Sequence, residues 1–451
     1  MHNPLRTLGR AAAEGVRSRL WPVPVLGVAV ALVLGFLIPG MDARVDGRLP
    51  GWLDALVFGG DASAARTVLD AIATSLMTVT ALTFSLTVVT LQLASSQFSP
   101  RLLRTFTKDL FVQTTLALFL GTFTFSLTVL RSVRSSQESA EPFVPRIAIT
   151  VSFVLAIASV VALVLFLGHL AKQIRVETML AEVRADTSAT ASSVLAPLDA
   201  SPPAVPLQPG PNAVQLDADR SGFLLSVDTA AVAALAAEAG GFIAMARSTG
   251  DFVVAGTPVA TVWKDESGPL ADDELATLRR GLVHALSIGP ERTGTQDVAF
   301  GLRQLVDVAV KALSPGINDP TTAVHALGHV SALLCELGAY RLGTVTASDA
   351  DGIVRAEFLH PDFSDYLELA VAQPLHYGAG DPMVVSRLLE LLRDLAQTSP
   401  PERMHAIIGS LERITEVARA QDAGAAERNQ HDALVREVRR LCAGRSSAGL
   451  P

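Results

Sequence analysis

Residues that could do chemistry are few in this chain. His325 and His329 lie four apart, the spacing at which two imidazoles on one helical face can hold a metal ion. No glutamate accompanies them as in an H-E-x-x-H helix, and Cys335, His284 and Asp319 are not at ligand spacing, so no metal and no cofactor are expected. The run Ser314-Pro315-Gly316-Ile317-Asn318-Asp319-Pro320 reads first as structure. Ser314-Pro315-Gly316 stops a helix whose stripe is Phe300, Leu305, Val308 and Ala312, and Asp319 with Pro320 caps and opens the next. The other reading is a ligand turn, in which Ser314, Gly316, Asn318 and Asp319 surround a small anion bound by backbone N–H groups. A P-loop, G-x-G-x-x-G, G-x-S-x-G and C-x-x-C are all missing, and no enzyme is expected.

The remaining polar pattern sits inside apolar sequence. Between Ala71 and Ala94, Thr74, Thr78, Ser85 and Gln92 fall within about 40° on a helical wheel, and Thr80, Thr83, Thr87 and Thr90 form an opposite stripe. A third apolar stretch repeats the theme, with Thr115, Thr122 and Ser126 on one side and Gln113, Thr124 and Thr128 on the other. Such hydroxyls either bond their own helix and tighten packing, or line a neutral, water-filled path. Arg101, Arg104 and Lys108 share a stripe just before the third stretch, after a Ser99-Pro100 helix start. They suit lipid head groups, or a basic vestibule at the mouth of such a path.

The elements that must carry these residues follow from composition. Of 451 residues 49% are apolar and only 18% charged, and the mean hydropathy is +0.39, which points to a membrane. Four stretches are long enough to span a bilayer as helices: about 20–38, 71–94, 111–130 and 147–171. The first follows four arginines, but no small-x-small cleavage site succeeds Ile38, so an uncleaved helix is expected rather than a signal peptide. The last three hold no Asp, Glu, Lys or Arg, which counts against proton relays and ion-coupled carriers. Trp52, Leu53, Leu56 and Phe58 suit a short segment lying on the outer surface.

Charge divides the chain. Residues 1–171 hold 13 Lys+Arg against 9 Asp+Glu, whereas residues 172–451 hold 23 against 35. An acidic second half argues against nucleic acid as a partner. Basic residues gather at the N-terminus, in the 95–110 loop and after the fourth stretch. That bias places both termini in the cytoplasm of a multi-pass inner-membrane protein. Two cysteines, Cys335 and Cys442, agree with a reducing compartment.

Past residue 171 the fourth helix is expected to continue as a stalk to about Leu195, with a Pro-rich linker to Pro211. An α+β domain then covers 212–442, with a loose tail at 443–451. Gly222–Val227 and Gly241–Ala246 read as strands around a helix at 229–238, and Tyr366–Val371 reads as a further strand. Helices are expected at 383–395, 402–419 and 431–442. Gly250-Asp-Phe-Val-Val-Ala-Gly256-Thr-Pro-Val is similar to the turn pattern of biotinyl/lipoyl-like barrels, but their attachment lysine has no counterpart, because Lys264 follows the last strand.

The Ser/Thr-rich second stretch running into Gln97-Phe98-Ser99-Pro100-Arg101, then Gln296-Asp297 and the 314–320 run, resembles a bacterial family of predicted membrane proteins, domain of unknown function 2254. The resemblance covers nearly the whole chain. It implies an integral membrane protein and supplies no catalytic residues, and the His325/His329 pair is not part of its pattern. The expectation is an oligomeric channel in the lipid bilayer, a homo-oligomer with a cytosolic regulatory domain. The alternatives are a membrane-anchored sensor or scaffold and, third, a membrane enzyme acting on lipid or a small metabolite.

Overall fold

A computed structural model describes residues 21–45, 57–97, 109–134, 143–173, 175–199, 205–264, 268–421 and 424–448. The chain forms two compact units, Met1–Arg175 and Val176–Pro451.

Among the described residues the first unit holds four long helices: α1 (Pro22–Val45), α2 (Ala62–Gln97), α3 (Leu110–Ser132) and α4 (Arg146–Gln173). Each contains a stretch long and apolar enough to cross a membrane, the shortest 21 residues. At about 1.5 Å per residue that covers the roughly 30 Å of a hydrocarbon core. Helix α3 is the centre: half of its apolar window is buried, against 22% in α1 and α4 and 28% in α2. Its approach to α1 depends on small residues. A Cβ added at Gly27 would stand 2.9 Å from the Ala117 Cβ, and one at Gly35 2.7 Å from the Thr128 Cβ. Gly27, Ala31 and Gly35 recur every four residues, the spacing that lets two helix backbones come together.

Side chains close the end of this unit where α1 stops and α4 begins. Asp42, buried near the end of α1, accepts from the Ile147 N–H at 2.8 Å and the Ala148 N–H at 3.4 Å, so it caps α4 from another helix. The Arg146 Nε donates to the Phe58 carbonyl at 2.7 Å, and the Phe58 N–H to the Thr150 Oγ1 at 2.9 Å. Phe58 packs against the cluster of Ala65, Leu69, Ala148 and Ile149. Trp52, Leu53 and Leu56 lie outside the described residues, as do Ser99 and Pro100. Within the described chain α3 starts at Leu110, with Asp109 as its cap.

The second unit begins with α5 (Val176–Val194), a helix separate from α4. It is built into the folded unit and not set apart as a stalk. Arg184 and Ser188 both bond Glu336, and Thr187 occupies the space a Cβ at Gly301 would need. Next come β1 (Val214–Asp217), β2 (Gly222–Val227), α6 (Thr229–Glu238), β3 (Gly241–Met245), β4 (Phe252–Val253) and β5 (Pro258–Lys264). Helix α7 (Asp272–Ala285), β6 (Leu286–Gly289), α8 (Val298–Ala312) and α9 (Pro320–Leu337) follow, then the hairpin β7 (Val345–Ser348) and β8 (Val354–Phe358). The chain ends in α10 (Phe363–Gly378), α11 (Pro382–Thr398), α12 (Met404–Arg419) and α13 (Ala425–Ala448).

Two sheets form, in the orders β1-β5-β3-β8-β7 and β4-β2-β6. All pairings are antiparallel except β3 with β8. The 254–257 turn carries the chain from one sheet to the other, with Gly256 at φ +78. Between sheets and helices lies a core including Leu216, Leu224, Val232, Ile243, Val262 and Leu278.

One expected strand is a helix. Tyr366–Val371 lies in α10, where Asp362 and Asp365 cap reciprocally. Phe363, Tyr366, Leu367, Ala370, Val371 and Pro374 are buried at helical spacing, which six apparently alternating residues concealed. The β7–β8 hairpin was not anticipated. It turns at Gly352, φ +81, with the Asp349 carboxylate accepting from the Asp351 and Ile353 N–H groups.

Candidate functional site

The two polar faces of α2 have different surroundings. Thr83, Thr87 and Thr90 are buried, continuing an inward seam that is apolar in its first half (Ala65, Leu69, Ala73, Leu76). Thr74, Thr78, Ser85 and Gln92 are all exposed, so among the described residues no helix covers this stripe. The hydroxyls also bond their own helix: Thr78 Oγ1 donates to the Thr74 carbonyl at 3.1 Å and Thr87 Oγ1 to the Thr83 carbonyl at 2.8 Å. Within the unit Thr122 Oγ1 and Ser159 Oγ meet at 3.4 Å, and Thr115, Gln113 and Ser126 are buried. Among the described residues the hydroxyls of Thr83, Ser126 and Ser152 are enclosed without a partner.

Arg101, Arg104 and Lys108 lie outside the described residues. Next to them in sequence is a cluster that sequence reasoning missed. The Asp109 Oδ2 meets the His169 Nε2 at 2.6 Å and accepts from the Gln173 Nε2, and the Phe111 ring lies 4.6 Å from the imidazole. One carboxylate thus caps α3 and also grips two residues on the last turns of α4. The available signal was His169, four residues before Gln173 in an apolar helix.

The 314–320 corner is built as its residues dictate. Asn318 and Ile317 donate N–H bonds to the Ser314 carbonyl at 2.9 and 3.0 Å, and Asp319 N–H bonds the Ala312 carbonyl at 2.8 Å. Asn318 turns the chain at φ +48, a conformation Asn tolerates better than most residues. The Asp319 carboxylate caps α9, accepting from the Thr322 N–H at 3.1 Å and its hydroxyl at 2.6 Å, and these bonds hold it below the ordinary carboxylate range. Pro315, Gly316, Ile317 and Asn318 are exposed, and Ser314 donates to the Lys311 carbonyl. The four residues make a surface corner whose hydrogen bonds are spent on joining two helices.

His325 is exposed and His329 half-buried on α9. Burial, then Arg184 and His325, lowers the His329 imidazole. No group of three metal-ligating side chains occurs among the described residues.

A buried polar cluster surrounds the Gln296-Asp297 pair. Asp297 is only 4% exposed and caps α8 through the Phe300 N–H at 2.9 Å. Arg292 grips the same carboxylate with two nitrogens, the second at 3.0 Å, and lies over the Phe300 ring. Burial raises the Asp297 carboxyl above its ordinary range against the opposing pull of Arg292. Gln296 behaves like one residue of a strand, accepting from the Val227 N–H at 2.9 Å and donating to the Val227 carbonyl at 3.3 Å. Thr249 donates to the Gln296 carbonyl at 3.2 Å, and Gly250, at φ +93, leaves the room the carboxylate and guanidinium fill. Sequence spacing could not assemble this set, because its members are brought together from the end of β2, the turn before β4 and the cap of α8.

A family model for a predicted membrane protein, DUF2254, matches residues 17–394. Uncharacterized proteins of Mycobacterium tuberculosis and Mycobacterium bovis are each 34% identical over 429 residues, 93% of this chain and 80% of the relative. No solved structure matches the chain.

Proposed function

This chain belongs to the DUF2254 family of predicted membrane proteins, and we propose that it assembles as a homo-oligomeric permeation pathway in the bacterial inner membrane. The exposed stripe Thr74, Thr78, Ser85 and Gln92 carries the reading. A hydroxyl can satisfy itself on its own helix, but the Gln92 amide has more donors and acceptors than one helix can satisfy. An unpartnered amide in hydrocarbon costs about 4–8 kcal/mol, so an outward polar ribbon favours a neighbouring copy or water over lipid. Several copies around an axis would turn α2 inward and leave the apolar exteriors of α1 and α4 to the lipid. The lining is then neutral. With Arg101, Arg104 and Lys108 at its cytoplasmic mouth, the pathway prefers anions. In this reading both termini are cytoplasmic and the second unit regulates the path.

Single cysteines at 74, 78, 85 and 92 test the proposal in membranes. Reaction with a water-soluble thiol reagent at all four is expected, together with an oligomer in detergent and anion flux in liposomes. A monomer with inert cysteines and no flux would sink the pathway. That outcome leaves the second reading, a membrane-anchored sensor or scaffold, for which the surface position of Pro315–Asn318 speaks.

A further inference from the structure

Where α5 ends, a small cleft opens between Val194, Leu195, Thr249, Gln296, Asp297, Val298, His360, Pro361 and Tyr366. Its free volume is about 10 Å³, close to the minimum that a single water requires. Most of the polar groups around it already have partners. Asp297 is held by Arg292 and the Phe300 N–H, Gln296 by Val227, and Thr249 donates to Gln296. Tyr366 differs. Its side chain is 2% exposed and lines the cleft, yet its hydroxyl has no hydrogen-bond partner among the described residues. The His360 ring, from the loop before α10, lines the same space, also without one. A hydroxyl that faces the cleft with no protein partner favours anything small and polar that fits.

We propose that this cleft is a binding site for one structural water molecule, held by the Tyr366 hydroxyl and bridging it to His360 and the Asp297–Thr249 side. The size excludes larger solutes, and the charges choose between water and a small ion. Arg292 already neutralises Asp297, so a cation gains little there. An anion would face the carboxylate. Water alone both donates and accepts, which suits a hydroxyl, a neutral imidazole and a carboxylate oxygen. Burial lowers the His360 imidazole and raises the Tyr366 phenol, with Asp297 adding to the latter, so both rings stay neutral near pH 7. The site joins four parts of the second unit: the end of α5, the turn before β4, the start of α8 and the start of α10.

A high-resolution structure of the full chain in detergent, beside one of Tyr366→Phe, tests the assignment. In the native chain one density peak is expected within hydrogen-bond distance of the Tyr366 Oη and of at least one of His360, Asp297 or Thr249. In Tyr366→Phe the peak should be lost with the backbone unmoved. An empty cleft in the native chain would overturn the proposal, as would a direct Tyr366–His360 bond. A peak that persists unchanged in Tyr366→Phe would show that the tyrosine does not hold it.

Discussion

Replacing Gly250 with alanine separates backbone strain from damage to the buried ion pair. Gly250 sits at φ +93, and an added Cβ would overlap the Asp297 carboxylate and come within 2.7 Å of the Arg292 Nε. Gly256 provides the control: φ is +78 and nothing lies within 4 Å of an added Cβ. Each substitution places an L-residue in the left-handed region, at a cost of about 1–2 kcal/mol. At Gly250 the new methyl must also push Asp297 off Arg292, and breaking a buried pair costs about 3–5 kcal/mol more. For a unit of this size each kcal/mol lowers the melting midpoint by about 2–4 °C. Gly256→Ala should therefore fall by roughly 2–8 °C and Gly250→Ala by roughly 8–28 °C, read by thermal unfolding of the full chain in detergent. Equal shifts for the two variants would refute the reasoning, because only Gly250 faces the pair.

Gly27→Leu and Gly35→Leu should each destabilise the α1–α3 crossing by about 1–3 kcal/mol, whereas Gly168→Leu, with open space around it, should leave the melting midpoint nearly unchanged. Asp319→Ala removes the cap of α9 and should cost about 1 kcal/mol, measured by the same unfolding; an unchanged midpoint would mean the cap adds nothing. Because burial raises the Asp297 carboxyl, the folded state holds its proton to higher pH than the unfolded chain. Its contribution to stability is complete below about pH 4 and declines as pH rises through the raised value. The stability of the native chain relative to Asp297→Asn should accordingly fall from acid toward neutral pH, and a rise would contradict the burial argument.

Local patterns were enough for much of this molecule. Four apolar stretches of bilayer length could only be long helices, since length and the absence of charge fix that outcome without knowledge of neighbours. Ser314-Pro315-Gly316 and Asp319-Pro320 likewise determined a helix stop and a helix start, because caps and breakers act within a turn of chain. The strands at 222–227 and 241–245 were legible from their bounding glycines and apolar runs. What failed was short or borrowed from elsewhere. Tyr366–Val371 alternates for six residues, too few to tell period two from 3.6, and the Asp362 cap decided for helix. That Thr83 faces inward and Thr78 outward could not be read from α2, whose two stripes are equally polar; the position of α3 chose between them. Asp42 capping α4, Asp109 gripping His169, and Gly250 making room for Asp297 and Arg292 join residues up to 106 positions apart. Their chemistry depends on distances of about 3 Å that only packing sets, and sequence carries no record of those distances until the chain is folded.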